Sequence, residues 1–122
     1  MKKILIIEDE NVLAEMYQDR FSQEGYQVFL ALTSEEGIEL AKKEKPDLIL
    51  LDILLPKENG VGFLKKLKAE KEISSIPVVA FSNYDEPRTR KEAESLGIEA
   101  YLLKTDFTPQ ELVKKIQSYL PQ

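Results

Sequence analysis

Five short apolar runs recur along the chain, and between them apolar residues fall at helical spacing. The runs are Ile4-Leu5-Ile6-Ile7, Val28-Phe29-Leu30, Leu48-Ile49-Leu50-Leu51, Pro77-Val78-Val79-Ala80-Phe81 and Ala100-Tyr101-Leu102-Leu103. Continuous apolar runs of this length, rich in β-branched residues, belong to strands covered on both faces. The intervening stretches read as helices. Leu13, Met16, Tyr17 and Phe21 mark the first, stopped by Gly25. Thr33 or Ser34 caps the second, with Glu36 in capping-box register to Thr33, Ile38 and Ala41 facing inward, and Pro46-Asp47 as breaker. Phe63, Leu64 and Leu67 mark the third, after Gly60. The fourth, Glu86 to Leu96, is polar, with only Ala93 and Leu96 clearly apolar, and Gly97 ends it. Thr108-Pro109-Gln110-Glu111 supplies cap, entry proline and capping-box acid for the fifth, which Leu112, Val113, Ile116 and Leu120 carry to near Tyr119. Strict alternation of strand and helix predicts an α/β fold: a five-stranded parallel sheet, right-handed crossovers, helices on both faces. With 122 residues, 43% hydrophobic, and no repeat or linker, residues 1–122 are expected to form a single domain.

Two absences restrict the chemistry. The chain has no cysteine and no histidine. Disulfides, thiolate nucleophiles, Cys/His zinc sites and imidazole acid–base catalysis are therefore excluded. A metal here must be a hard, oxygen-loving ion such as magnesium, manganese or calcium. Twenty-two acidic against 17 basic residues give a net charge of -5, which repels a phosphate backbone and argues against direct nucleic-acid binding. Lysine pairs at 42–43, 65–66 and 114–115 read as solvated helix faces. No apolar stretch is long enough to span a bilayer. The run after Met1-Lys2-Lys3 is too short for a signal peptide and is cut off by Glu8-Asp9-Glu10. The sequence thus predicts a cytoplasmic protein with no membrane partner.

In an open parallel sheet, ligands bind beyond the carboxyl ends of the strands, where strand order reverses. Glu8 and Asp9 follow the first run, Asp52 the third, Ser82 and Asn83 the fourth, and Lys104 the fifth. Two unit charges about 4 Å apart repel by roughly 4 kcal/mol at an effective dielectric near 20. A cluster of three carboxylates therefore needs a cation among them, and both a magnesium ion and Lys104 can serve. Each residue also has a plainer reading. Asp9 or Glu10 could be first-turn acids of a helix, Ser82 a turn residue, and Lys104 a surface lysine. Asp52, directly after four apolar residues, is the hardest to dismiss. Four strand ends delivering these groups to one rim favour a site.

Glu8-Asp9, Asp52 with Pro56 and Gly60 downstream, Ser82, and Tyr101-Leu102-Leu103-Lys104 together resemble the receiver domain of two-component response regulators, over essentially the whole chain. The resemblance implies the chemotaxis-regulator-like, flavodoxin-like doubly wound (βα)5 fold with strand order 2-1-3-4-5. It implies a chain that is not an enzyme in the ordinary sense, its chemistry limited to self-catalysed phosphoryl transfer and loss. Asp52 matches the phosphoryl acceptor, loaded by a sensor histidine kinase or a phosphotransfer protein. Asp9, Asp52 and the backbone carbonyl of Leu54 match the ligands of Mg2+ (Mn2+ is possible), with Glu8 helping through water. Lys104 pairs with Asp52 at rest and with a phosphoryl oxygen afterwards. Ser82 and the backbone N–H of Asn83 serve other oxygens. Tyr101 matches the switch aromatic, which turns inward as Ser82 moves, altering the surface of the fourth helix, fifth strand and fifth helix for a downstream partner. Its plainer reading is a half-buried strand aromatic.

Three departures qualify the match. Thr105 stands where the family usually has a proline, so a trans Lys104–Thr105 bond and a reshaped loop to Thr108 are expected. Leu54 and Tyr84 occupy the two positions that modulate phosphoryl loss; neither can act as a carboxylate base, so a longer-lived phosphorylated form is expected. Glu8 replaces a second aspartate, which leaves metal binding expected. Rival readings fare less well. A haloacid-dehalogenase-type phosphatase needs an Asp-x-Asp pair where this chain has Glu8-Asp9-Glu10. In a flavodoxin-like carrier, acids would repel the flavin phosphate. A receiver-like interaction module not regulated by phosphorylation would be expected to lack Asp52, Asp9 or Lys104, and all three are here. The fifth helix leaves no residues for an output domain, so either a stand-alone receiver or a piece of something longer is expected; Met1 just before the first strand and the Pro121-Gln122 ending favour the former, monomeric or dimerising on phosphorylation. The charged fourth helix reads equally as a docking surface or as a solvated face.

Overall fold

The computed structural model describes residues 1–55, 59–83 and 85–121. Strands β1 (Lys3–Ile7), β2 (Gln27–Ala31), β3 (Leu48–Asp52), β4 (Val78–Ser82) and β5 (Ala100–Leu103) alternate with helices α1 (Asn11–Gln23), α2 (Ser34–Glu44), α3 (Gly60–Ala69), α4 (Pro87–Ser95) and α5 (Pro109–Gln117). All strand pairings are parallel, in the order β2-β1-β3-β4-β5. The expected fold class and strand order are both observed. Chain progression reverses between β1 and β3, so the crevice of an open α/β sheet falls at their carboxyl ends.

The apolar runs are buried because alternate residues feed two cores. Leu5, Ile7, Ile49, Leu51 and Ala80 pack on one face with Ala41, Phe63, Leu64 and Ala93 from α2, α3 and α4. Ile4, Ile6, Leu50, Val79 and Phe81 pack on the other with Tyr17, Phe21, Val113 and Ile116 from α1 and α5. Period-two alternation on a pleated strand makes this partition automatic. The register sets Asp52 beside Phe81 and Ser82 beside Leu103, so the polar strand ends lie level.

Helix ends follow local chemistry. Thr108 and Glu111 form a reciprocal capping box, with Thr108 N–H donating to Glu111 Oε1 at 2.8 Å and Glu111 N–H to Thr108 Oγ1 at 3.1 Å. At α2 the box is displaced: Thr33 accepts from Glu36 N–H, but the Glu36 carboxylate accepts from Leu32 N–H at 2.7 Å rather than from Thr33. Element ends shift by a residue or two from the expected runs. β4 runs one residue later and ends on Ser82. α5 ends at Gln117, where Ser118 N–H turns back to the Lys115 carbonyl and Tyr119 N–H to that of Ile116, yet Leu120 still reaches the core through the following turn.

Asn59 opens α3 by accepting from Val61 and Gly62 N–H, and Gly60 N–H donates to Ile53 O at 2.6 Å. A Cβ on Gly60 would stand 2.9 Å from Ile53 Cα and 3.1 Å from Asp52 O, both backbone atoms beneath the candidate site. Gly60→Ala is therefore expected to destabilise the fold by about 1–3 kcal/mol, the cost of overpacking outweighing alanine's better helix propensity. Urea unfolding measures this, and an unchanged or raised midpoint would contradict the close approach.

Candidate functional site

Glu8 follows β1, Asp52 closes β3, and Lys104 follows β5, so three strand ends converge. Lys104 Nζ donates to Glu8 Oε2 at 2.8 Å and to Asp52 Oδ2 at 3.3 Å. Both carboxylates are buried, Glu8 at 1% and Asp52 at 4% exposure. Asp9 stands exposed beside them, and among the described residues Glu8, Asp9 and Asp52 form a group in which one carboxylate oxygen from each lies within 4.8 Å of the others. The lysine expected to pair with Asp52 thus lies closer to Glu8.

Secondary contacts fix the acids. Glu8 Oε1 accepts from Glu10 N–H at 3.2 Å, and Asp52 Oδ1 from Leu54 N–H at 3.1 Å. Glu10 is the N-cap residue of α1 but makes no side-chain cap, and no acid occupies that helix's first turn. Asp9 and Glu10 are therefore not first-turn acids. Burial pushes the Glu8 carboxyl up to about 7; the Lys104 hydrogen bond opposes this and the neighbouring Asp52 charge reinforces it. Burial likewise holds the Asp52 carboxyl above the usual carboxylate range, against the lowering effect of the Lys104 charge and the Leu54 amide.

Phe81 forms the floor. Lys104 Nζ lies 4.6 Å from the centre of its ring, and Tyr17 meets the same ring edge-on at 5.6 Å. Burial pushes the Tyr17 phenol up to about 12, with the charges of Glu8, Asp52 and Glu10 adding to the effect. Phe81 was legible only as a strand residue; its position directly before Ser82 was the one signal available. A ring face presented to a buried ammonium adds attraction without a competing proton acceptor.

The remaining predicted residues fall around this centre. Ser82 is buried at the end of β4, and Asn83 is exposed just after it. Tyr101 is buried in β5 at 7% exposure, so its ring is already inward rather than half-buried. Burial raises its phenol above the ordinary value, opposed by a hydrogen bond with Ser82. Leu54 exposes 47% of its surface over the rim. Pro56 and Tyr84 lie outside the described residues. The peptide after Lys104 is trans, and Lys104–Asp106 form a 3-10 turn.

The donor set is all hard oxygen. With all three carboxylates ionised beside one ammonium the formal charge would be −2 (three negative, one positive), which suits a divalent cation. The group could hold a metal ion.

The chain matches the family model described as the response regulator receiver domain over residues 4–117. It is 34% identical to the polar-differentiation response regulator DivK of Brucella ovis, covering 98% of this chain and 96% of that protein. It is also 34% identical to the alkaline phosphatase synthesis transcriptional regulatory protein PhoP of Bacillus subtilis, covering 98% of this chain but 48% of PhoP. The chain thus spans about half the length of the transcriptional regulators it matches. The chemotaxis protein CheY4 of Vibrio cholerae superposes with a TM-score of 0.90 at 26% identity, covering 98% of this chain and 99% of that one. The chain belongs to the response regulator receiver family of two-component systems.

The unequal distances make an energetic prediction. In buffer free of divalent cations, double-mutant cycles with Lys104→Met should give a coupling to Glu8, tested with Glu8→Gln, of about 1.5–3 kcal/mol. The coupling to Asp52, tested with Asp52→Asn, should be smaller. Urea unfolding supplies the free energies, and an equal or larger Asp52 coupling would overturn this ranking.

Proposed function

We propose that this receiver accepts a phosphoryl group on Asp52 from a histidine kinase or phosphotransfer protein and thereby changes a surface read by another protein. The observation that carries this reading is the Lys104 ammonium shared between buried Glu8 and Asp52, with Asp9 alongside. A purely structural ion pair needs one carboxylate per ammonium; the surplus of acid here calls for a cation and a displaceable counter-charge.

In this reading an Asp52 carboxylate oxygen attacks the donor phosphorus. The O–P bond forms as the bond to the donor's leaving nitrogen or oxygen breaks, and the leaving group departs with the electron pair. Lys104 moves its ammonium from the carboxylate to a phosphoryl oxygen. Its bond to Glu8 keeps it tethered at the right depth during that exchange. The Ser82 hydroxyl and the Asn83 backbone N–H supply donors to the other oxygens, preplaced by the end of β4. Mg2+, or Mn2+, held by Asp9, Asp52, the Leu54 carbonyl and, through water, Glu8, would neutralise charge on the transferring group. The downstream partner would dock on the surface of α4, β5 and α5, with the receiver a monomer or a phosphorylation-dependent dimer.

The domain reading is that residues 1–122 act as one receiver unit. Nucleic-acid contact is not part of this proposal, because the net charge of -5 opposes it. No helix among the described residues is long and apolar enough to cross a membrane.

The central test is chemical. With magnesium and acetyl phosphate, the wild-type chain should gain one phosphoryl group by intact mass, and Asp52→Asn should gain none. Magnesium alone should raise the thermal midpoint, by an amount equivalent to about 2.7 kcal/mol at a hundredfold excess over its dissociation constant. Labelling that persists in Asp52→Asn would sink the assignment. A second expectation concerns lifetime. Leu54 offers the rim an apolar side chain that hinders water, so Leu54→Asn should hasten dephosphorylation, followed by loss of the mass gain with time. An unchanged or slower decay would contradict a shielding role for Leu54.

A further inference from the structure

The fourth helix has the thinnest anchorage in the molecule, since Ala93 is its single buried residue. Lys65 of α3 reaches Glu92 at 3.4 Å, an exposed pair of small worth. Towards β5, α4 offers something more specific. The Arg90 guanidinium lies over the Tyr101 ring, 5.3 Å from its centre. Two carboxylates steer that guanidinium: Asp85 Oδ1 is 3.3 Å from Nη1, and Glu94 Oε2 is 3.5 Å from Nε. Asp85 belongs to the segment between β4 and α4, and Glu94 sits one helical turn beyond Arg90.

We propose that Arg90 is a positioning residue for Tyr101: its guanidinium, clamped between Asp85 and Glu94, lies on the ring and holds it inward, so that the receiver rests near its phosphate-accepting arrangement. The inference deepens the reading of Asp52 as phosphoryl acceptor and rests on it. Three features give it substance. A planar guanidinium can stack on a ring while its edge pairs with carboxylates, which an ammonium cannot do. The ring it covers is 7% exposed and hydrogen-bonds Ser82, the hydroxyl that would meet the phosphoryl group. Asp85 lies three residues after Ser82, so the same clamp ties the segment following β4 to the ring on β5. A part-exposed guanidinium over an aromatic ring is worth about a two- to fivefold change in an equilibrium. That is enough to tune a switch and too little to lock it.

The test uses the full chain labelled with 3-fluorotyrosine, its Tyr101 line assigned by Tyr101→Phe. Arg90→Met should move that line towards the solvent-exposed position, with a larger shift between H2O and D2O. It should also slow labelling of Asp52 by acetyl phosphate about two- to fivefold. Arg90→Lys, which keeps the charge but cannot cover the ring and pair with both carboxylates at once, should fall between. If either the line or the labelling rate is unchanged in Arg90→Met, the proposal is overturned. Should that variant not fold, the pair Asp85→Asn with Glu94→Gln releases the guanidinium without touching the ring; a smaller shift in the same direction supports the clamp, and none overturns it. A wild-type chain that takes no phosphoryl group would instead sink the acceptor reading, while the fluorine line would still report whether Arg90 positions the ring.

Discussion

One ammonium group holds together the polar end of this sheet. Lys104 answers to both Glu8 and Asp52, at 2.8 and 3.3 Å, in a place where neither carboxylate has water to spare. Removing one partner from a buried charge group commonly costs several kcal/mol, because the remaining charge stays behind unpaired. The three strand ends that carry these groups are not sequence neighbours. Their proximity is the product of the strand order, and the strand order in turn brings together like charges that a cation stabilises in their ionised form. Fold and site therefore constrain each other: the parallel sheet forces the acids together, and the lysine makes that tolerable.

Beneath the charges the sheet supplies a dry foundation. Phe81 places its ring under the ammonium, and Tyr17 braces the ring from α1. Gly60 lets α3 start against the backbone of Ile53, immediately after the aspartate, with no side chain in between. The reactive edge is thus supported by aromatic packing and by close backbone contact.

Much of this was legible beforehand, for identifiable reasons. The buried strands announced themselves as continuous apolar runs, and the first polar residue after each run marked the rim. Capping chemistry at Thr108 was readable because all its partners lie within three residues. What could not be read was the division of Lys104 between two acids, since that depends on side-chain reach across β1, β3 and β5. The role of Arg90 was hidden for a similar reason. In a helix so polar, every charge looks solvated, and only the neighbouring strand reveals which one lies across a ring. The end of α5 was misjudged because Leu120 continues the apolar pattern after the helix has stopped.

The partition of the two cores has an implication for how information crosses this molecule. Phe81 faces the layer of α1 and α5, whereas the next residue, Ser82, hydrogen-bonds Tyr101, which belongs to the layer that includes α4. Two adjacent amino acids of one strand therefore act as separate terminals, one wired to each side. A slip of a single position in β4 would exchange the terminals, since pleating sends every side chain to the opposite face. The fidelity of such a relay resides in the alignment of a short strand rather than in any bond it makes.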